Sequence, residues 1–159
     1  MNKRALLDTF AAQIAADLEV LKSAALAAHE AATHAESKAE DQYDTRGLEA
    51  SYLAGAQSKR VLELEELLLL FRHVDLKRFA GKDSIASTAL IELSSEGAHS
   101  HYLLMPSGGG RHVEFAGKRI HVITPQSPLG ETLLGKRAGD EIEVEIQRKL
   151  RDYEIVSVN

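Results

Sequence analysis

Residues 122–144 read VITPQSPLGETLLGKRAGDEIEV, and the punctuation inside this run decides the class of fold. The run opens on apolar, β-branched residues and closes on the alternation Glu141, Ile142, Glu143, Val144, both of strand type. Between them Ser127 suits a helix N-cap, Pro128 the first helical position and Gly135 a helix end, so the spacing predicts one short helix. Gly139-Asp140 then marks a turn into the next strand.

Working outward, period-two patterns predict strands over 84–93, 101–105, 118–124, 140–147 and 152–158. The gaps carry turn signals, SGGG at 107–110, Ala116-Gly117 and Gly139-Asp140. One short helix against an antiparallel sheet is a small α+β domain, expected over residues 76–159 and joined to what precedes it around Val74 to Ala80.

Residues 1–75 have a different character. They hold no proline, no glycine before Gly47, and 16 alanines, which favours helix. Leu7, Phe10, Ile14, Leu18, Leu21, Ala25 and Ala28 step by threes and fours as a coiled-coil seam that continues to Ala39. Ala50, Ala54, Gln57, Val61, Leu64, Leu68 and Phe71 form a second seam. Large residues sit at the outer ends of both seams and alanines near the middle, so an antiparallel hairpin pairs like with like. Its bend is expected near residue 40, inside KAEDQYDTRGLEA (38–50), where Glu40, Asp41, Asp44 and Glu49 crowd around Gly47. Arms of roughly 30 residues at about 1.5 Å rise are on the order of 45 Å long, which would carry the acids at the end of a rod.

The chain has 159 residues and a net charge of −5. Residues 1–75 hold 13 acids and 8 bases, leaving 24 − 13 = 11 acids and 19 − 8 = 11 bases in residues 76–159, so the excess negative charge lies in the first part. That balance argues against a general nucleic-acid binder, which needs a clustered basic face. The lack of cysteine removes disulfides, thiolate nucleophiles and Cys-type zinc sites. Asp8, Gln13 and Asp17 interrupt any signal-peptide core, and LLLLF at 67–71 is too short to span a bilayer. A monomeric cytoplasmic protein without membrane contact is expected.

The run Ser127-Pro-Leu-Gly-Glu-Thr-Leu-Leu-Gly-Lys136-Arg-Ala-Gly-Asp140 resembles the C-terminal domain of the bacterial Gre transcript cleavage factors (GreA/GreB-like). There a Ser-Pro-(Leu/Ile)-Gly-x-x-Leu-(Leu/Ile)-Gly-Lys-x-x-Gly-Asp pattern is characteristic. The order of parts, helical hairpin then sheet domain, is similar too. The resemblance implies an FKBP-like C-terminal domain that docks at the rim of the RNA polymerase secondary channel, with Ser127, Pro128, Leu129, Gly130 and Lys136 as the docking region. It implies that the hairpin enters the channel, where Asp41 and Asp44, with Glu40 as a further candidate, share the Mg²⁺ of the polymerase active site. The ion accepts one or two carboxylates and keeps several waters, and a second ion in two-metal phosphodiester chemistry is often weakly held. On this reading the protein has no cofactor of its own and is no enzyme alone; it stimulates the polymerase's cleavage of backtracked RNA and meets the nascent 3′ end indirectly.

The tip departs from the family pattern. Cleavage-competent Gre tips carry an Asp and a Glu three apart, before an Asn-Ala-Glu-Tyr segment. Aligning that Tyr with Tyr52 puts Thr45 and Leu48 at the acid positions, and a slip of one rescues only Asp44, with Gly47 opposite the Glu. Asp41 and Asp44 do have the i, i+3 spacing that shares a helical face. A channel-occupying regulator that modulates initiation or elongation without cleavage is the alternative. A solvated acidic turn that favours the start of the second helix is the plainer one.

Other features stay open at this level. His99 and His101 share a strand face, and His112 and His121 are candidates to join them as metal ligands, though no fixed third ligand is evident. PSGGGR (106–111) suggests a phosphate cradle but lacks the Gly-Lys-Ser/Thr that would follow, which favours a strand connection. Lys38, Arg46, Lys59 and Arg60 either touch extruded RNA or balance neighbouring acids, and Tyr43 either packs on Leu48 or stacks on a base. Prolyl isomerisation is suggested by the FKBP-like fold alone, and fold analogy supplies no site; Phe79, Tyr102, Phe115 and Tyr153, without tryptophan, are little aromatic surface for its pocket.

Overall fold

The computed structural model describes the backbone of residues 1–33, 46–146 and 148–159, and side chains over 1–31, 55–145 and 148–159. It divides into two compact units, Ala11–His73 and a second made of Met1–Phe10 with Val74–Asn159, so the sheet unit takes in Met1–Phe10, Val74 and Asp75 from the stretch expected of the hairpin.

Helix α1 spans Lys3–Thr33 and α2 spans Arg46–His73. Phe10, Ile14 and Leu18 on α1 and Leu68 and Phe71 on α2 are buried, the large ends of the two seams. Arg4 donates to the carbonyl of Val74, just past α2, while Lys22 pairs with Glu65. Partner numbers fall along α2 as they rise along α1, so the helices run antiparallel. Arg72 and His73 in the last turn of α2 complement its dipole. Gln57 interrupts the apolar seam, and its buried side-chain oxygen has no hydrogen-bond partner among the described residues.

The second unit is built on a six-stranded sheet. Its strands are β1 (Leu90–Ser95), β2 (Ala98–Leu104), β3 (His112–Phe115), β4 (Lys118–Ile123), β5 (Glu141–Ile146) and β6 (Lys149–Val158), in the spatial order β3-β4-β2-β1-β6-β5. The sheet is mixed: β2 and β4 run parallel, His101 opposite Ile120 and Leu103 opposite Val122, and the other pairings are antiparallel. The chain leaves β2, forms β3 at the edge, and returns through the Ala116-Gly117 hairpin so that β4 lies between them. Both hairpin residues have positive φ, 52° and 74°. Helix α3 (Pro128–Leu133) covers one face over a core that includes Ile91, Leu93, Leu133, Val144 and Ile155.

Residues 84–89 do not extend β1 as expected. Thr88 is held at φ 70°, costly for a β-branched residue, while its hydroxyl accepts from the amide of Lys77 and its own amide bonds Leu104. Ile85 still reaches the core. The start of α1 is fixed to the sheet unit by Lys3, whose ammonium donates to the carbonyls of Lys77, Thr88 and Asn159, the last two at 3.1 Å, and lies 4.7 Å from the Phe79 ring centre.

Candidate functional site

Each letter of the 127–140 run has a local physical reason. Ser127 is extended at φ −76°, ψ 149°; its hydroxyl accepts from the amide of Gly130 at 3.1 Å and donates to the carbonyl of Thr124 at 2.7 Å. The N-cap and the preceding turn are thus fixed by one oxygen. Pro128 occupies the first turn of the helix. Gly130 admits no side chain, because a Cβ there would lie 2.0 Å from the Thr124 carbonyl oxygen. Gly135 ends the helix at φ 78°, and its amide donates to Ile85 while that of Ile85 donates to Lys136. Asp140 accepts from the amide of Arg137 at 2.8 Å and so shapes the turn into β5.

The expected docking residues therefore separate. Leu129 and Gly130 are interior, Ser127 is half-buried, and Pro128 and Lys136 are exposed. Gln126 is exposed beside them and went unnoticed in the sequence, where nothing marks it. Glu40, Asp41 and Asp44 lie outside the described residues, as do Lys38 and Tyr43; Arg46 lies in α2, but its side chain is outside the description. Lys59 and Arg60 are exposed on α2.

The four histidines of the sheet do not converge. Because His101 stands opposite Ile120 and Tyr102 opposite His121, the pairs His99/His101 and His112/His121 lie on opposite faces. On one face His101 Nε2 lies 2.9 Å from Lys118 Nζ and 3.6 Å from Glu92 Oε1; Glu92 accepts from His99 at 3.0 Å and from the Ser157 hydroxyl at 3.2 Å. Burial lowers the pKa of His101, Lys118 and His99 lower it further, and Glu92 opposes them. Burial works to raise the Glu92 carboxyl, but His99, Lys118, His101 and Ser157 together hold it below its ordinary value. On the other face the rings of Tyr102, His121 and His112 lie side by side, with centres 5.9 and 5.4 Å apart. Among the described residues no group of three His, Cys, Asp or Glu is placed to hold a metal ion. No described helix is long and apolar enough to cross a membrane.

Comparisons with known proteins agree on one family. Residues 110–159 match the family described as "Transcription elongation factor, GreA/GreB, C-term". The chain is 30% identical to the transcription elongation factor GreA of Methylococcus capsulatus over 165 aligned residues, covering 99% of this chain and 98% of that protein. It is 29% identical to GreA of Syntrophus aciditrophicus, covering 80% of this chain and 74% of that one. Among solved structures, the GreA factor homolog 1 (Gfh1) of Thermus thermophilus is similar at a TM-score of 0.40 and 20% identity, over 94% of both chains. On its match along nearly the whole length of a GreA protein, the chain belongs to the GreA/GreB family of transcription elongation factors.

Proposed function

We propose that this protein binds RNA polymerase at the secondary channel through its sheet unit and brings the acids of residues 40–44 toward the catalytic Mg²⁺, stimulating the polymerase's own cleavage of backtracked RNA. The observation that carries the reading is the full-length kinship with a GreA elongation factor, which takes in both the helical and the sheet units. The chemistry of the donor set supports it: Glu40, Asp41 and Asp44 offer hard carboxylate oxygens of the kind Mg²⁺ takes one or two at a time. The protein contributes ligands and position to a site that belongs to its partner, and has no catalysis of its own.

The test is transcript shortening in stalled, backtracked complexes of the cognate polymerase, with the wild-type chain and with Asp41→Asn, Asp44→Asn. Wild type accelerates cleavage and the double variant loses most of that acceleration. Equal rates with both would remove these carboxylates from the chemistry.

A second reading rests on the tip residues: where the resemblance implies an Asp and a Glu three apart, this chain has Thr45 and Leu48, or Asp44 and Gly47. In it the protein occupies the channel and modulates initiation or elongation without cleavage. Polymerase binding with altered initiation and no shortened transcripts selects this reading over the first.

A further inference from the structure

The face of the sheet that bears α3 is only half covered. The core beneath the helix is drawn mainly from β1, β6 and β5 and reaches Leu104 and Ile123 at the ends of β2 and β4, while Tyr102, His121 and His112 stand in direct register across β2, β4 and β3. The planes of neighbouring rings are tilted by 37° and 36°, so the three rings form a row of tilted neighbours. Tyr102 and His121 also line a groove of about 650 Å³ whose opposite walls are the 106–110 loop and Thr124 with Gln126 and Ser127. That volume falls within the range of about 300 to 1,000 Å³ usual for small-molecule sites.

Three properties narrow the occupant. None of the residues lining the groove is acidic and none is lysine or arginine, so no carboxylate repels an anion there and any anion must be held by neutral donors. Beyond Pro106 and Ser107 the loop lines the groove with glycine alone: Gly108 and Gly110 have φ near 88° and 87°, and a Cβ on Gly109 would crowd Thr124 at 3.1 Å. Gly110 and Arg111 donate their amides to Val122 and Gly108, but none of the described hydrogen bonds uses the amides of Gly108 or Gly109. Successive free amides beside a left-handed residue form an anion-binding concavity. Burial, then His112 and Arg119, lowers the pKa of His121 against Glu114, so near neutral pH it presents a ring more than a charge.

We propose that this groove binds a nucleotide, with the base against the Tyr102 and His121 rings, His112 standing behind His121, and a phosphate on the amides of Gly108 and Gly109. Flat π-systems stack on such rings with little regard to base identity, so the site selects for nucleotide chemistry more than for one base. The site lies wholly within the sheet unit and is independent of the polymerase-directed role of residues 40–44.

The experiment is a nuclear magnetic resonance titration of the full-length ¹⁵N-labelled chain with adenosine monophosphate, with adenosine, and with a short single-stranded RNA. Expected are shifts of the Gly108 and Gly109 amides and of the His112 and His121 ring protons, with adenosine binding about tenfold more weakly than the monophosphate because it lacks the anion. The two nucleotide arms separate a free nucleotide from an RNA segment as the source. His121→Ala weakens binding about tenfold; His112→Ala, at an exposed position beside His121, weakens it less; Lys149→Ala, on β6 at the other side of the sheet, leaves it unchanged. Unmoved resonances at millimolar nucleotide and RNA overturn the proposal. So does a groove that responds to the cognate polymerase alone, which would make it a protein-docking surface.

Discussion

Lys22 Nζ lies 2.9 Å from Glu65 Oε1, tying α1 to α2 within the helical unit. The Glu65 hydrogen bond, then its charge, raises the pKa of Lys22 against slight desolvation, with Glu19 adding in the same sense. Both side chains are nearly half exposed, at 45% and 40%, so the pair reports register more than it stabilises. A zero-length carbodiimide is expected to join them, giving a Lys22–Glu65 crosslinked peptide detectable by mass spectrometry. Its absence, with both peptides otherwise recovered, would mean that the helices pair in another register in solution.

Gly130 and Ser127 make unequal structural demands. Alanine at Gly130 places a methyl 2.0 Å from the Thr124 carbonyl oxygen, a clash that a tight cap can relieve only by moving backbone. Gly130→Ala should lower unfolding stability by about 3 kcal/mol, at the upper end of overpacking costs. Ser127→Ala removes the cap and should cost about 1 kcal/mol. Denaturant midpoints order the two, and a Gly130→Ala protein as stable as wild type contradicts the packing described.

How much of this was legible in the sequence follows from what each feature needs. The α3 cap was readable letter by letter because Ser127, Pro128 and Gly135 act on their immediate neighbours. The seams were readable because burial repeats at helical spacing, and Phe10, Ile14, Leu68 and Phe71 are buried as it requires. Strand β3 escaped because it is only four residues at an edge, too short for alternation to show. The irregular 84–89 segment escaped because the left-handed Thr88 depends on partners at Lys77, Leu104 and Lys3. The Tyr102–His121–His112 row depends on a parallel pairing that no local pattern announces.

The His101 environment sets a direction for pH. The ordinary histidine value is 6.5 and the folded values of His101 and His121 lie below it, so between the two the unfolded chain binds more protons. Stability is therefore full above pH 6.5 and falls as pH drops toward the folded values. Glu92, also lowered, extends the loss beneath its ordinary 4.5. Replacing Lys118 with alanine removes the cation 2.9 Å away and should raise the His101 pKa part of the way toward 6.5, with burial and His99 still holding it down. Ring-proton titration measures this, and an unchanged His101 curve would show that the 2.9 Å contact is not made in solution.

The separation of interior from exposed residues in the 127–136 run makes the docking proposal testable without confusing binding with folding. Leu129 is only 7% exposed and belongs to the core with Leu133 and Ile142. Leu129→Ala should cost about 2 to 5 kcal/mol in stability, and any loss of polymerase binding would follow from that. Pro128 and Lys136 are exposed, so Pro128→Ala with Lys136→Glu should leave the core intact. If this edge of α3 meets the polymerase, the double variant binds at least tenfold more weakly in a competition assay while its unfolding midpoint shifts by less than the cost of Leu129→Ala. Undiminished affinity in a folded double variant would remove Pro128 and Lys136 from the interface and leave the 127–136 run with a purely structural reason for its residues.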